Sequence, residues 1–337
     1  MHTIFKLALA PPLMCIGLMM LPFVFFFSPT IVAAVGIVYF RPDLVFRLYT
    51  RFKMWHIGFR SKSVTVSKYT FSFAVRGKPD PSRPSMLFLH GFSAAQDMWW
   101  PFVQNLPSDW HIVAVDMPGH GKTTRKMNDS FSLPAQAARM RQFTQAVGLR
   151  KKPFHLVGIS MGGGVAGVYA AKYSEDLAKL TMFCPAGINS KIPSEFELAV
   201  SDGRLSNGLL PENEEEYVKM VPYLMYEVPK VPSLYWKGMR LLRKNNNAFY
   251  KKVMSDLMAP NSKDSLRANM SSITVPTLVL WGQHDNLLHP SGARVLKEGI
   301  PNSQVHVLER CGHSLHMERP FKTSKLLRTF AEEENAN

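Results

Sequence analysis

The chain has 337 residues, 46% hydrophobic and 19% charged, with a formal net charge of +15. That composition excludes wholesale disorder and collagen-like repeats, and three cysteines (Cys15, Cys184, Cys311) are too few for a disulfide framework or a thiolate zinc site. A basic excess has two ordinary partners, nucleic acid and an anionic membrane surface, and where the charge lies along the chain separates them.

Residues 7 to 40 carry no charged side chain. About 20 apolar residues cross a bilayer, and the run exceeds the roughly 7 to 15 residues of a signal-peptide core. Residues 1–40 are therefore predicted to be a retained N-terminal membrane anchor. Pro11, Pro12, Pro22 and Pro29 each remove a helical donor, leaving a kinked single span and a re-entrant hairpin both open. Cys15 within the run is a weak candidate for palmitoylation.

Residues 41–62 read as a juxtamembrane linker. Arg41, Arg47, Arg51, Lys53, Arg60 and Lys62 stand there against Asp43 alone, interleaved with Tyr49, Phe52 and Trp55. Positive flanks stay in the cytoplasm, so the main domain is expected on the cytoplasmic side. The sequons Asn128-Asp129-Ser130 and Asn269-Met270-Ser271 should then remain unglycosylated. The basic-aromatic mixture suits a headgroup belt, and a partly buried amphipathic helix is the competing reading.

Beyond residue 63 the pattern alternates. Val64–Val75 suits one or two strands. Met86–Leu89, Ile112–Val115, Phe154–Val157, Leu180–Phe183, Thr277–Leu280 and Val305–Leu308 are short apolar runs with the length of buried strands. Helical segments such as Pro134–Val147 and Met161–Tyr173 lie between them, which predicts an α/β fold with a mostly parallel sheet. From residue 188 to 272 no strand pattern occurs; Met, Tyr and Leu recur, predicting a helical cap inserted into the sheet. The core is thus expected over 63–187 and 273–337. Flexible methionines and flat aromatics make adaptable apolar surface of the kind an acyl pocket needs.

Val157-Gly158-Ile159-Ser160-Met161-Gly162 places G-x-S-x-G directly after a strand and before a helix, the context in which a tight turn presents a serine hydroxyl. Serine is a poor nucleophile at neutral pH and needs a base held by an acid. In the order serine, acid, histidine, Asp285 follows the strand at Leu280 and His313 follows the strand at Leu308, both at carboxyl ends of strands. The candidate roles are Ser160 nucleophile, His313 base and Asp285 orienter. His284, His289, His306 and His316 are rivals by proximity, and capping of the next helix is the plain alternative for Asp285. Two backbone N–H donors are needed for an oxyanion; those of Met161 and Phe92, in His90-Gly91-Phe92-Ser93, are the candidates. No cofactor and no metal site are predicted.

On Leu89–Ala94, Asp97–Trp99, Val115–His120, Lys152–Gly158, Ser160–Gly163, Val165–Ala171, Cys184–Gly187, Cys311–Ser314 and Met317–Pro320, the chain resembles the α/β-hydrolase superfamily and, within it, the membrane-anchored monoacylglycerol lipases. The resemblance spans about residues 64 to 333. It implies an α/β-hydrolase fold with an eight-stranded sheet, a serine esterase acting on monoacylglycerols of the 2-arachidonoylglycerol type and on some lysophospholipids, and a late endosomal or lysosomal membrane with the catalytic domain facing the cytosol. Ser160, Asp285 and His313 stand in the matching triad positions.

Ser160 argues against epoxide hydrolases and dehalogenases, which need aspartate there. The apolar run and lipophilic insertion disfavour a carbon–carbon hydrolase of aromatic breakdown. Acyl transfer through the same acyl-enzyme stays open, although no H-x-x-x-x-D pattern is apparent. A non-catalytic binding protein should have lost a triad member, and none is lost. No nucleic-acid motif accompanies the charge. The excess concentrates in residues 41–62 and in residues 228–267, with nine basic against two acidic residues, and reads as a dock for anionic headgroups. Oligomeric state is left open.

Overall fold

A computed structural model describes residues 29–33, 35–188, 190–244 and 246–333. The expected anchor falls mainly on residues 1–28, and Cys15 with it, outside the described residues. Residues 29–33 and 35–40 are helical. Among the described residues no helix is long and apolar enough to cross a membrane.

In chain order the elements are α1 (Pro42–His56), β1 (Arg60–Val66), β2 (Tyr69–Arg76), β3 (Met86–Leu89), α2 (Trp100–Val103), β4 (Ile112–Val115), α3 (Leu133–Ala146), β5 (Phe154–Ile159) and α4 (Met161–Lys172). They continue with β6 (Leu177–Phe183), α5 (Glu195–Ser201), α6 (Glu214–Leu224), α7 (Ser233–Lys244), α8 (Asn247–Met258), α9 (Ser265–Asn269), β7 (Thr277–Gly282), α10 (Ser291–Gly299), β8 (Ser303–Leu308), α11 (Leu315–Glu318) and α12 (Pro320–Glu332).

The eight strands form one sheet in the order β1-β2-β4-β3-β5-β6-β7-β8. β1 pairs antiparallel with β2 and β2 with β4; every other pairing is parallel. β3, β4, β5 and β7 are buried at every position, because helices cover both faces and no strand position faces water. The Val64–Val75 pattern resolves into a hairpin turning at Ser67, whose φ is 53°.

Between β6 and β7 every named element among the described residues is helical. Tyr217, Met220 and Val221 form a small second core there with Leu209, Leu224, Met225, Trp236 and Met239. Ser194 and Glu197 close a reciprocal capping box at the start of α5.

The linker expectation is corrected in part. Residues 42–56 are a 15-residue helix, and the first strand takes up Arg60 to Lys62, so the core begins before residue 63. Pro42, Asp43, Thr50 and Met54 bury one side of α1. It lies against α7 of the cap, where a Cβ on Gly238 would come 3.2 Å from the Pro42 carbonyl carbon, and Phe46 meets Tyr235 edge-on at 5.7 Å. Leu48, Tyr49, Phe52 and Trp55 of this helix are each about half exposed, at helical spacing.

Candidate active site

Ser160 joins β5 to α4 with φ 55° and ψ −121°, a backbone state that a side chain rarely adopts. Three hydrogen bonds hold it there: Ser160 N–H donates to Phe183 O, and the N–H groups of Gly164 and Ala186 donate to Ser160 O, each at 2.9 Å. The two motif glycines are required by close approach. A Cβ on Gly158 would lie 2.2 Å from Gly162 O, and one on Gly162 would lie 2.4 Å from Leu89 O.

His313 and Asp285 reach the same region from loops after β8 and β7. His313 Nδ1 is 2.8 Å from Asp285 Oδ2, and both side chains are buried. Asp285 Oδ1 accepts from the N–H groups of Leu287 and Leu288 at 2.9 Å each. The carboxylate does not cap the next helix, whose N-cap is Pro290; it organises its own loop with one oxygen and meets His313 with the other. His313 Nε2 is buried and has no partner among the described residues. Ser160 and His313 both line one cavity of about 1220 Å³. The Cys184 thiol donates to His313 O at 3.2 Å.

Three of the four rival histidines are elsewhere. His306 is exposed on β8, His284 stacks on Tyr226, and His289 is bonded to Ser291 Oγ. His316 does line the cavity, but it is packed beside Trp99 and burial pushes its pKa down to about 3, so it stays neutral.

The loop after β3 runs beside the serine: a Cβ on Gly91 would sit 3.5 Å from Ser160 Cβ. His90 organises this loop, a role the sequence reading missed. Met117 N–H donates to His90 Nε2 at 3.0 Å, which leaves the proton on Nδ1 to be donated to Gly91 O at 2.7 Å. Full burial lowers the His90 pKa to about 4 and keeps that tautomer uncharged. With the Gly91 carbonyl so held, the N–H at the other end of its peptide plane, that of Phe92, is fixed in the opposite direction. Met161 opens α4, so its N–H belongs to the first turn, where helix donors lack intrahelical partners.

Among the described residues, Cys184, Asp285 and His313 form the one grouping with metal-ligand character, their donor atoms lying within 4.8 Å of one another. These atoms are already bonded to protein, and burial pushes the Cys184 thiol well up, away from the thiolate that a metal would need.

The cavity walls come from α1 and the cap. Leu44, Phe46 and Leu48 face Leu209, Tyr217, Tyr235 and Met239, so part of the cap's Met/Tyr/Leu content does line the space above the serine. Arg125 and Arg243 are among the cations that line it as well. Arg243 is half-buried, donating to Leu209 O at 2.5 Å, while Arg125 donates to Gly121 O at 2.7 Å. The Nε of each has no partner among the described residues.

Comparison with known proteins now decides the family. The model of the alpha/beta hydrolase fold matches residues 84–320. The chain belongs to the α/β-hydrolase family. Over 294 residues, 86% of this chain and 87% of the relative, it is 42% identical to monoacylglycerol lipase ABHD6 of Rattus norvegicus. It is 29% identical to lipase 3 of Moraxella sp. over 258 residues, 75% of this chain and 78% of that one. The crystal structure of a membrane phospholipase A, a bacterial virulence factor, superposes with a TM-score of 0.80 at 28% identity, covering 92% of this chain and 97% of that one. This α/β-hydrolase is a carboxylic-ester hydrolase.

Proposed function

We propose that the chain hydrolyses the carboxylester of monoacylglycerols through an acyl-enzyme on Ser160. The observation carrying this reading is the free Nε2 of His313, tied through Nδ1 to Asp285, in the same apolar cavity as Ser160. His313 Nε2 takes the hydroxyl proton as Ser160 Oγ attacks the ester carbonyl. The backbone N–H groups of Phe92 and Met161 receive the developing oxyanion. His313 returns the proton to the departing glycerol oxygen, then activates the water that releases the fatty acid. Asp285 holds the imidazole in its productive tautomer throughout.

Substrate class rests on the 42% identity to monoacylglycerol lipase ABHD6 and on cavity size. About 1220 Å³ exceeds the ~300–1,000 Å³ typical of small-ligand sites and admits a long acyl chain. The Nε atoms of Arg125 and Arg243 in its wall, without a partner among the described residues, favour lysophospholipids as a second substrate, since phosphate satisfies a guanidinium's spare donors. The catalytic part works at the cytoplasmic face of an anionic membrane, a reading supported by the half-exposed apolar side chains of α1 and the basic residues around them.

The test is a lipid panel on wild type and Ser160→Ala. Loss of ester hydrolysis and of fluorophosphonate labelling is expected; full activity with full labelling in the variant would refute the assignment. Product analysis with added alcohol acceptors measures transfer against hydrolysis. Endoglycosidase-sensitive glycan on Asn128 or Asn269 would overturn the orientation.

A further inference from the structure

The loop carrying His313 is bonded to the cap as well as to the sheet. On the sheet side, His284 N–H donates to Cys311 O at 2.9 Å, which ties it to the Asp285 loop. On the cap side, Ser314 N–H donates to Leu224 O, the last residue of α6, also at 2.9 Å. One carboxylate spans the junction. Glu318, at the end of α11, accepts from Gly312 N–H through Oε1 at 3.0 Å. Through Oε2 it accepts from Tyr226 N–H at 2.7 Å and from Glu227 N–H at 3.4 Å. One acid thus holds the residue before the base with one oxygen and the cap rim with the other.

The approach is close. A Cβ on Gly312 would lie 2.7 Å from Tyr226 N and 3.0 Å from Glu318 Oε1. Arg310 and Arg319 approach Glu227 at 3.1 and 3.8 Å, closing the rim from outside. Charge-assisted bonds from a carboxylate to backbone N–H groups are short and directional. A glutamine can present only one oxygen, and its NH2 group would face a backbone N–H.

We propose that Glu318 is a positioning residue for His313, fixing the base-bearing loop to the cap so that the imidazole is placed for Ser160 only while the cap rim is seated. The inference rests on the Ser160–His313 reading above. Glu318 touches neither substrate nor the reacting atoms; it acts through Gly312 and the rim.

The test uses the full chain and a dispersed monoacylglycerol, comparing wild type, Glu318→Gln, Glu318→Asp and Gly312→Ala. Misplacement of a catalytic group by about 1 Å costs roughly 100-fold, so Glu318→Gln is expected to lower kcat by about 10- to 100-fold, with KM within about threefold. The fluorophosphonate labelling rate should fall in step with kcat, while the final labelling stoichiometry stays that of wild type. Glu318→Asp, keeping the charge with shorter reach, should be intermediate. Gly312→Ala, which pushes the rim away, should reproduce the kcat defect with Glu318 intact. Glu318→Gln with wild-type kcat would overturn the proposal. So would a kcat loss matched by an equal loss of labelling stoichiometry, which marks misfolded enzyme. Failure of the underlying reading would show differently, as wild-type hydrolysis that survives Ser160→Ala.

Discussion

The conformation of Ser160, φ 55° and ψ −121°, is of a kind that costs about 1–3 kcal/mol and persists only where its surroundings over-determine it. Its hydrogen bonds to Phe183, Gly164 and Ala186, with two side-chain-free neighbours at Gly158 and Gly162, supply that over-determination. Asp285 is the residue at which structure and proposed chemistry separate most cleanly by mutation. Asp285→Asn leaves an oxygen for the Leu287 and Leu288 N–H groups but turns the other end into a donor facing His313 Nδ1. We expect kcat to fall by about 10³- to 10⁴-fold with little change in melting temperature, checked by steady-state kinetics beside thermal unfolding. The motif residues were legible because each follows a strand in chain order. His90 and Glu318 were not, because their partners, Met117 and Tyr226, are 27 and 92 residues away in sequence.

At the scale of elements, the junction of α1 with α7 decides the cavity. Both helices line it, and Gly238 permits their contact. Gly238→Leu should drive α1 off the cap, lowering activity on long-chain monoacylglycerol while a short soluble ester is cleaved at nearly the wild-type rate. Equal loss on both substrates would place the effect in the core instead. Away from the site, Asp176 ties α3 to α4 and to the turn after α3. It accepts from Arg141 at 3.1 Å, from Arg150 at 2.7 Å and from the Tyr169 hydroxyl at 2.7 Å. Burial opposes its charge, but Tyr169, Arg150 and Arg141 outweigh burial and hold the carboxyl below the usual carboxylate range. A depressed carboxyl contributes stability above its unfolded pKa, about 3.9, and loses it as pH falls through the folded value. Melting temperature should therefore decline on acidification below about pH 4. Asp176→Asn should remove about 1–3 kcal/mol at neutral pH and flatten that decline, as measured by unfolding at several pH values. Short buried strands were easy to read because covering both faces leaves continuous apolar runs. α1 was harder, since an exposed aromatic face beside arginines reads equally as linker or helix.

For the whole molecule, the charge distribution carries the largest consequence. The two basic stretches lie nearly 200 residues apart in sequence, yet α1 and α7 bring them side by side, with Lys237 donating to Tyr39 O at 3.3 Å and lying over its ring. On the proposed membrane reading this makes one basic, aromatic face next to the cavity wall. Arg47 and Arg51 are exposed on α1. A cation near an anionic surface is worth about 1 kcal/mol, so replacing both with glutamine should lower activity on substrate in anionic vesicles by roughly 30-fold. Activity on neutral detergent micelles should be unchanged, and high salt should mimic the replacement in wild type. Equal rates on both surfaces in the variant would remove the electrostatic dock.

Sequence by itself determined the α/β alternation and placed Ser160, Asp285 and His313 on loops that follow strands. Each of these follows from local physics: apolar runs set strands, the tight glycine turn sets the serine, and chain order singles out the candidate acid and the candidate base. Only the tertiary structure decided that α1 is a wall of the cavity, that one oxygen of Asp285 serves its loop and the other His313, and that Glu318 joins the base loop to the cap. Those features depend on which distant backbone groups are left to be satisfied once the sheet has closed, and no periodicity along the chain records that.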